Sequence, residues 1–167
     1  DERDPVTGPK IEVGHRTAGF CFDNEQPAHE VLLQPYALAD RLVTNAEYMA
    51  FVEDGGYRRP ELWLSDGWAT VQERGWQSPL YWLPGEGGWQ EYSLYGPITL
   101  DPSRPVSHVS GYEADAFARW ADCRLPTEFE WEALATGESL RGQFVESGQL
   151  HPEPPADESD RQLHGYL

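Results

Sequence analysis

Basic charge is scarce in this chain. Twelve lysines and arginines stand against 29 aspartates and glutamates, giving a net charge of −17 over 167 residues, and Lys10 is the single lysine. Binding to a phosphate backbone needs clustered cations. The only adjacent basic pair is Arg58-Arg59, so no nucleic-acid partner is expected. The acids are spread over both halves of the sequence, the pattern of a solvated acidic surface rather than of an acidic tail. Cysteine is nearly absent. Cys21 and Cys123 do not form a Cys-x-x-Cys pair and are too few for a disulfide framework. The expectation is two reduced, buried thiols in a cytoplasmic protein. No apolar run approaches the roughly 18 residues of a membrane span. Gly-x-Ser-x-Gly, P-loop and Gly-x-Gly-x-x-Gly patterns are missing, which removes the common signatures of α/β-hydrolases and nucleotide enzymes. His15, His29, His108, His151 and His164 never fall three or four apart, so no helical metal clamp is present and no metal ligand is assigned.

Aromatic bulk takes the place of aliphatic bulk. Seven Trp, eight Tyr and six Phe can build a core, each removing roughly 150–250 Å² from water when buried. Fourteen Pro and sixteen Gly argue against a helical bundle and for a loop-rich α+β domain with short elements. Residues 1–10 read as a polar entry segment. Residues 11–15 and 30–33 read as short strands, and 36–39 as a further one.

Three helix starts are spelled out in one grammar. Thr44 with Glu47, Ser110 with Glu113 and Thr127 with Glu130 are capping boxes: the hydroxyl accepts from the third residue's N–H and the acid reaches back. Each precedes an apolar triplet at i, i+3, i+4 spacing: Tyr48/Phe51/Val52, Phe117/Trp120/Ala121 and Trp131/Leu134/Ala135. Gly55-Gly56 and Gly137 supply left-handed stops. Residues 57–105 lack a clear period and read as a tryptophan-rich insertion holding Trp63, Trp68, Trp76, Trp82 and Trp89. Residues 151–167 read as a loop or tail whose first part is nearly devoid of apolar side chains.

No catalytic residue emerges from these patterns. Ser110 and Glu130 are explained as caps, and the acids of 128–132 suit a helix N-terminus. The Gly55-Gly56-Tyr57-Arg58-Arg59-Pro60 turn could instead present guanidinium groups to a carboxylate, with aromatic faces nearby. That makes Tyr57, Arg58, Arg59 and Trp82 the candidate substrate-binding residues, against the plainer reading of core aromatics and a solvated arginine turn.

The segments Phe20–His29, Val43-Thr44-Asn45 and RLPTEFEWE (124–132) resemble the formylglycine-generating-enzyme-like, or sulfatase-modifying-factor, domain. DGGYRRPELWLSDGW (54–68), Pro79-Leu80-Tyr81-Trp82, Pro105–Ser110 and Glu113–Ala116 look more specifically like the C-terminal domain of ergothioneine-biosynthesis sulfoxide synthases. The resemblance implies a C-type-lectin-like α+β fold with little regular structure. It also implies oxidative C–S bond formation between a cysteine-containing thiol and the betaine trimethylhistidine, using Fe(II) and O₂. In that family the iron ligands belong to a preceding four-helix domain. A catalytic tyrosine and most substrate contacts follow a segment equivalent to 162–165. The sequence is thus expected to be the N-terminal half of such a domain, inactive alone, with its sheet completed by further chain or by a homo-oligomeric partner. A formylglycine-generating enzyme or maturation factor, and a non-catalytic lectin-like binding module, are the alternative readings.

Overall fold

The computed structural model describes residues 8–138, 142–148 and 151–154. In chain order the elements are strands β1 (Lys10–Val13) and β2 (His29–Leu32), helices α1 (Asn45–Glu53) and α2 (Ser65–Arg74), strands β3 (Trp82–Gly85), β4 (Gly88–Ser93) and β5 (Gly96–Thr99), then helices α3 (Gly111–Trp120) and α4 (Glu128–Ala135). Short 3₁₀ turns occupy Asp23–Glu25, Gly56–Arg58, Pro60–Leu62 and Val145–Ser147. This is the loop-rich α+β mixture expected from composition. Most of the expected entry segment and most of the 151–167 tail lie outside the described residues. None of the described helices is long and apolar enough to cross a membrane.

The chain divides into two compact units. The first comprises the described parts of 1–39 and 126–140. In it β1 and β2 pair antiparallel with Ile11 opposite Val31. Helix α4 is tied to this hairpin region by side chains: the Gly14 N–H donates to Glu132 Oε1 at 2.7 Å and the Tyr36 hydroxyl donates to the Glu130 carbonyl at 3.0 Å. Residues 36–39 form no strand; the Tyr36 side chain instead anchors that segment to the helix carbonyl. Glu130, not Trp131, is the buried residue of α4, while Trp131 stays 41% exposed.

The second unit spans 40–125 with the described residues beyond 141. Its core is aromatic: Tyr48, Phe51, Tyr57, Trp63 and Trp82 are buried together with Leu62, Val71, Leu100 and Ala116. Ala116 is fully buried on α3, a small side chain at a position without solvent access, and Phe117 and Trp120 of the same helix pack against the core. Buried Asn45 pins a neighbouring loop, its N–H donating to the Arg104 carbonyl and its amide to the Asp101 carbonyl, both at 2.8 Å.

Residues 57–105 are more regular than their sequence suggests. Helix α2 starts without a side-chain cap, at Leu64, and carries Gly67 in its first turn. Only its stop, Gly75 at φ +63°, follows the usual pattern. Strands β3, β4 and β5 form an antiparallel meander in that order. Pro84 and Pro97 fall on the two outer strands, where a missing N–H costs no ladder bond, and the central strand has no proline.

All three capping boxes form, with both reciprocal bonds in each. The first carries an added ion pair, Arg41 Nη1 and Nη2 donating to the two oxygens of Glu47 at 2.9 and 2.7 Å. The Arg41 guanidinium, with the Thr44 cap, holds the Glu47 carboxyl down from the usual 4.5 to about 2. A carboxyl lowered on folding adds stability above its unfolded pKa and loses it as pH falls toward the folded value. Both side chains are about half in solvent, so screening keeps the pair's contribution to roughly 1 kcal/mol or less. Glu47→Gln should therefore lower the urea midpoint at neutral pH, and the deficit should shrink between pH 4.5 and 2. Urea melts of both proteins across that range check this.

Both cysteines are free thiols, but neither is buried: Cys21 is partly exposed and Cys123 exposed. Each lies in an irregular segment, outside the elements that carry the aromatic core.

Candidate functional site

The turn between α1 and α2 sets the site. Helix α1 ends at Asp54, and Gly55 at φ +79° redirects the chain into the Gly56–Arg58 3₁₀ turn. That turn sends Tyr57 inward and Arg58 outward.

Tyr57 is buried and donates its hydroxyl to Glu113 Oε1 of α3 at 2.5 Å, with the Tyr48 hydroxyl 3.4 Å away. The other Glu113 oxygen accepts the Ser110 N–H at 2.7 Å. Burial, and then the neighbouring Tyr48 and Glu113, push the Tyr57 hydroxyl far above its ordinary value, so it remains a protonated donor. The Tyr48 hydroxyl is also raised, mainly by burial.

Arg59 is engaged by its own surroundings, with Nη1 on Asp54 Oδ2 at 3.0 Å and Nε on Glu61 Oε1 at 2.9 Å. Asp54 Oδ2 also accepts from the Trp120 indole at 2.8 Å. Arg58 is different. Its guanidinium lies over Gly55, where an added Cβ would come within 3.0 Å of Nη2, and it has no hydrogen-bond or ion-pair partner among the described residues. A cavity of about 400 Å³ opens beside it, lined by Tyr57, Arg58, Gln72, Trp76, Gln77 and Trp89 among others. Trp82 is buried and does not reach the cavity, but it backs Trp89 with ring centroids 5.6 Å apart.

Of the four sequence candidates, Tyr57 and Arg58 thus share one cavity wall, Trp82 supports it from behind, and Arg59 braces the turn. Such a wall can take an anionic group on Arg58 and polar groups on the two glutamines, with indole faces covering apolar parts of a ligand. Sequence reasoning missed Gln72, Gln77 and Trp76, because they sit on or just after α2, whose start carries no cap signal. It also gave Glu113 only its capping role and missed the Tyr57 bond.

A second cavity of about 570 Å³ also borders Trp76, lined mainly by apolar surface and including Arg74, Tyr81, His108 and Glu113. Among the described residues, no three His, Cys, Asp or Glu side chains converge as a metal-donor set. The linings of both cavities offer groups that can bind and orient a ligand.

A model of the sulfatase-modifying factor enzyme 1-like domain matches residues 6–163. The chain belongs to that family. The α+β fold above is the sulfatase-modifying-factor fold expected from the motifs. Among curated proteins, the hercynine oxygenase of Mycolicibacterium smegmatis is 42% identical over 132 residues, covering 79% of this chain and 30% of the relative. That of Mycolicibacterium thermoresistibile is 40% identical over 125 residues, covering 74% and 27%. The formylglycine-generating enzyme of Streptomyces coelicolor is 32% identical over 157 residues, covering 80% and 46%. The chain therefore spans less than a third of the length of these hercynine oxygenases. The sulfatase-modifying factor family thus includes both oxygenases and formylglycine-generating enzymes among the relatives of this chain.

Proposed function

We propose that this domain is the substrate-side part of a sulfoxide synthase of ergothioneine biosynthesis. The reaction joins the sulfur of a cysteine-containing thiol to the imidazole of trimethylhistidine (hercynine). One S–H and one C–H bond are lost and a C–S bond forms. One oxygen of O₂ enters the sulfoxide and the other leaves as water. Fe(II) is the cofactor of the whole protein in this reading. The described residues do not supply its ligands, so the role given to this chain is recognition, and alone it is inactive. The cytoplasm is the compartment that suits two free thiols.

The observation that carries the reading is Arg58. Its guanidinium is unpaired among the described residues on a wall of Trp76, Trp89, Gln72 and Gln77, while Arg59 three bonds along the backbone is fully engaged. A guanidinium suits the carboxylate that a cysteine-containing thiol carries. The higher identity to hercynine oxygenases than to formylglycine-generating enzymes supports the same side.

In the full-length protein bearing this domain, Arg58→Ala should raise KM for the thiol and cut kcat/KM about tenfold, roughly the 1.4 kcal/mol of one charge-assisted bond. KM for trimethylhistidine should not move. Unchanged thiol kinetics would return Arg58 to a solvated turn.

A formylglycine-generating activity is the second reading. It is favoured by the larger share of those relatives that the chain covers, 46% for the Streptomyces coelicolor enzyme against 30% or less for the oxygenases. Oxidation of a cysteine within a peptide by the full-length protein, without any C–S product from trimethylhistidine, would establish it instead.

A further inference from the structure

Two of the three described non-glycine residues with positive φ line the second cavity. Tyr81 has φ +72° and His108 φ +60°, the left-handed region that disfavours residues with a Cβ. Tyr81 is not a residue type that enters this region readily, whereas His108 is one of the types enriched there. They come from separate loops, yet their rings meet edge to face with centroids 4.9 Å apart at an interplanar angle of 90°. Both line the same cavity as the half-buried Trp76. Strain kept at Tyr81, where its ring meets that of His108, marks a place where side-chain direction matters more than backbone ease.

The polar groups have a clear polarity. Deep in the wall, the two oxygens of Glu113 are already taken by the Tyr57 hydroxyl and the Ser110 N–H. At the exposed side stand the Arg74 guanidinium and the His108 imidazole, neither with a hydrogen-bond or ion-pair partner among the described residues. The intervening surface is mainly carbon. On a protein of net charge −17, Arg74 and His108, like Arg58, are left without an acidic partner among the described residues.

We propose that this cavity, framed by Trp76, Tyr81 and His108, binds a small carboxylic acid with a flat ring, the ring lying among the aromatic side chains and the carboxylate on Arg74 and His108. The site is separate from the Arg58 wall, although Trp76 borders both.

The test is titration of the full chain with phenylacetate, followed by NMR of the His108 ring and the Tyr81 amide. Phenylacetamide, the neutral analogue, and benzylamine, the cationic one, serve as comparisons. Phenylacetate should give saturable shifts at both residues and bind at least about tenfold more tightly than either comparison compound. Arg74→Gln should remove most of that preference, and Arg58→Ala should leave it intact. His108→Gly should keep or raise the thermal midpoint, because it relieves the left-handed strain, yet weaken phenylacetate binding. A residue serving structure alone would not separate the two readouts. Lack of saturable shifts, equal binding of acid and amide, or a preference that survives Arg74→Gln and vanishes in Arg58→Ala would each overturn the proposal.

Discussion

Gly56→Ala should cost about 3 kcal/mol or more, near or beyond the upper end of overpacking losses. A Cβ built there would lie 2.1 Å from Phe51 Cε2 and 2.4 Å from both Cδ2 and Cζ. The backbone at Gly56 is not left-handed, so the penalty is steric rather than conformational. Phe51 is fully buried and cannot retreat, since the rings of Tyr48, Tyr57, Phe117 and Trp120 surround it at centroid distances of 5.3 to 5.9 Å. Nor can the turn move away freely, because the Gly56 carbonyl accepts the Trp63 indole N–H at 2.9 Å.

A double-mutant cycle separates this explanation from a general loss of the turn. Phe51→Ala alone should cost about 3–5 kcal/mol through the cavity it leaves. The new methyl at 56 would enter that cavity, so the double variant should be less destabilised than the sum of the two singles. Gly67→Ala is a second case of the same kind. Its Cβ would lie 2.8 Å from both Cβ and Cγ of Tyr112, atoms at the base of the side chain that ring rotation cannot clear, so this change too should destabilise the domain. Urea unfolding of the four proteins checks all of this, and near wild-type stability of Gly56→Ala would refute the packing argument.

How much of this was legible in the sequence follows from where each signal resides. Capping boxes are local: hydroxyl, spacing and acid all fall within four residues, so α1, α3 and α4 could be located before any fold was known. Helix α2 lacks that grammar at Leu64, and its buried residues Gly67 and Val71 make no apolar stripe. The β3–β4–β5 meander is masked for another reason. Its strands are four to six residues long and two of them contain proline, which reads as a break until their edge position is known. The site was legible by composition rather than geometry. The two arginines of the 55–60 turn are equivalent in sequence, and only folding distinguishes them, by bringing Asp54 and Glu61 to Arg59 and leaving Arg58 at the cavity. Tyr81 and His108 stood within the Pro79–Trp82 and Pro105–Ser110 motifs. Their left-handed backbone is set by the loops that join them to their neighbours; histidine is enriched in that region, but tyrosine gives no such signal.

Glu113→Ala should be the second severe substitution, at about 3–5 kcal/mol. The side chain is 3% exposed and holds two donors at once, the Tyr57 hydroxyl and the Ser110 N–H. Bonds to a charged acceptor contribute roughly 1.5–3 kcal/mol each, and removing the acceptor leaves a buried hydroxyl without its partner. Tyr57 cannot escape by ionising, because burial raises its hydroxyl. Glu113→Gln keeps one carbonyl oxygen but presents an amide to the other donor. It should fall between wild type and alanine, with the larger share recovered in combination with Tyr57→Phe, which removes the donor that glutamine cannot satisfy. The functional consequence distinguishes this residue from those on the cavity walls. Glu113 lines the cavity of Tyr81 and His108, and through its bond it fixes Tyr57 in the cavity of Arg58. Arg58→Ala and Arg74→Gln should each affect one ligand response. Glu113→Gln, being the milder variant, should weaken both together while leaving a folded domain on which both can still be measured. If either response survives unchanged in a Glu113→Gln protein whose stability has dropped, the two cavities do not depend on a common wall.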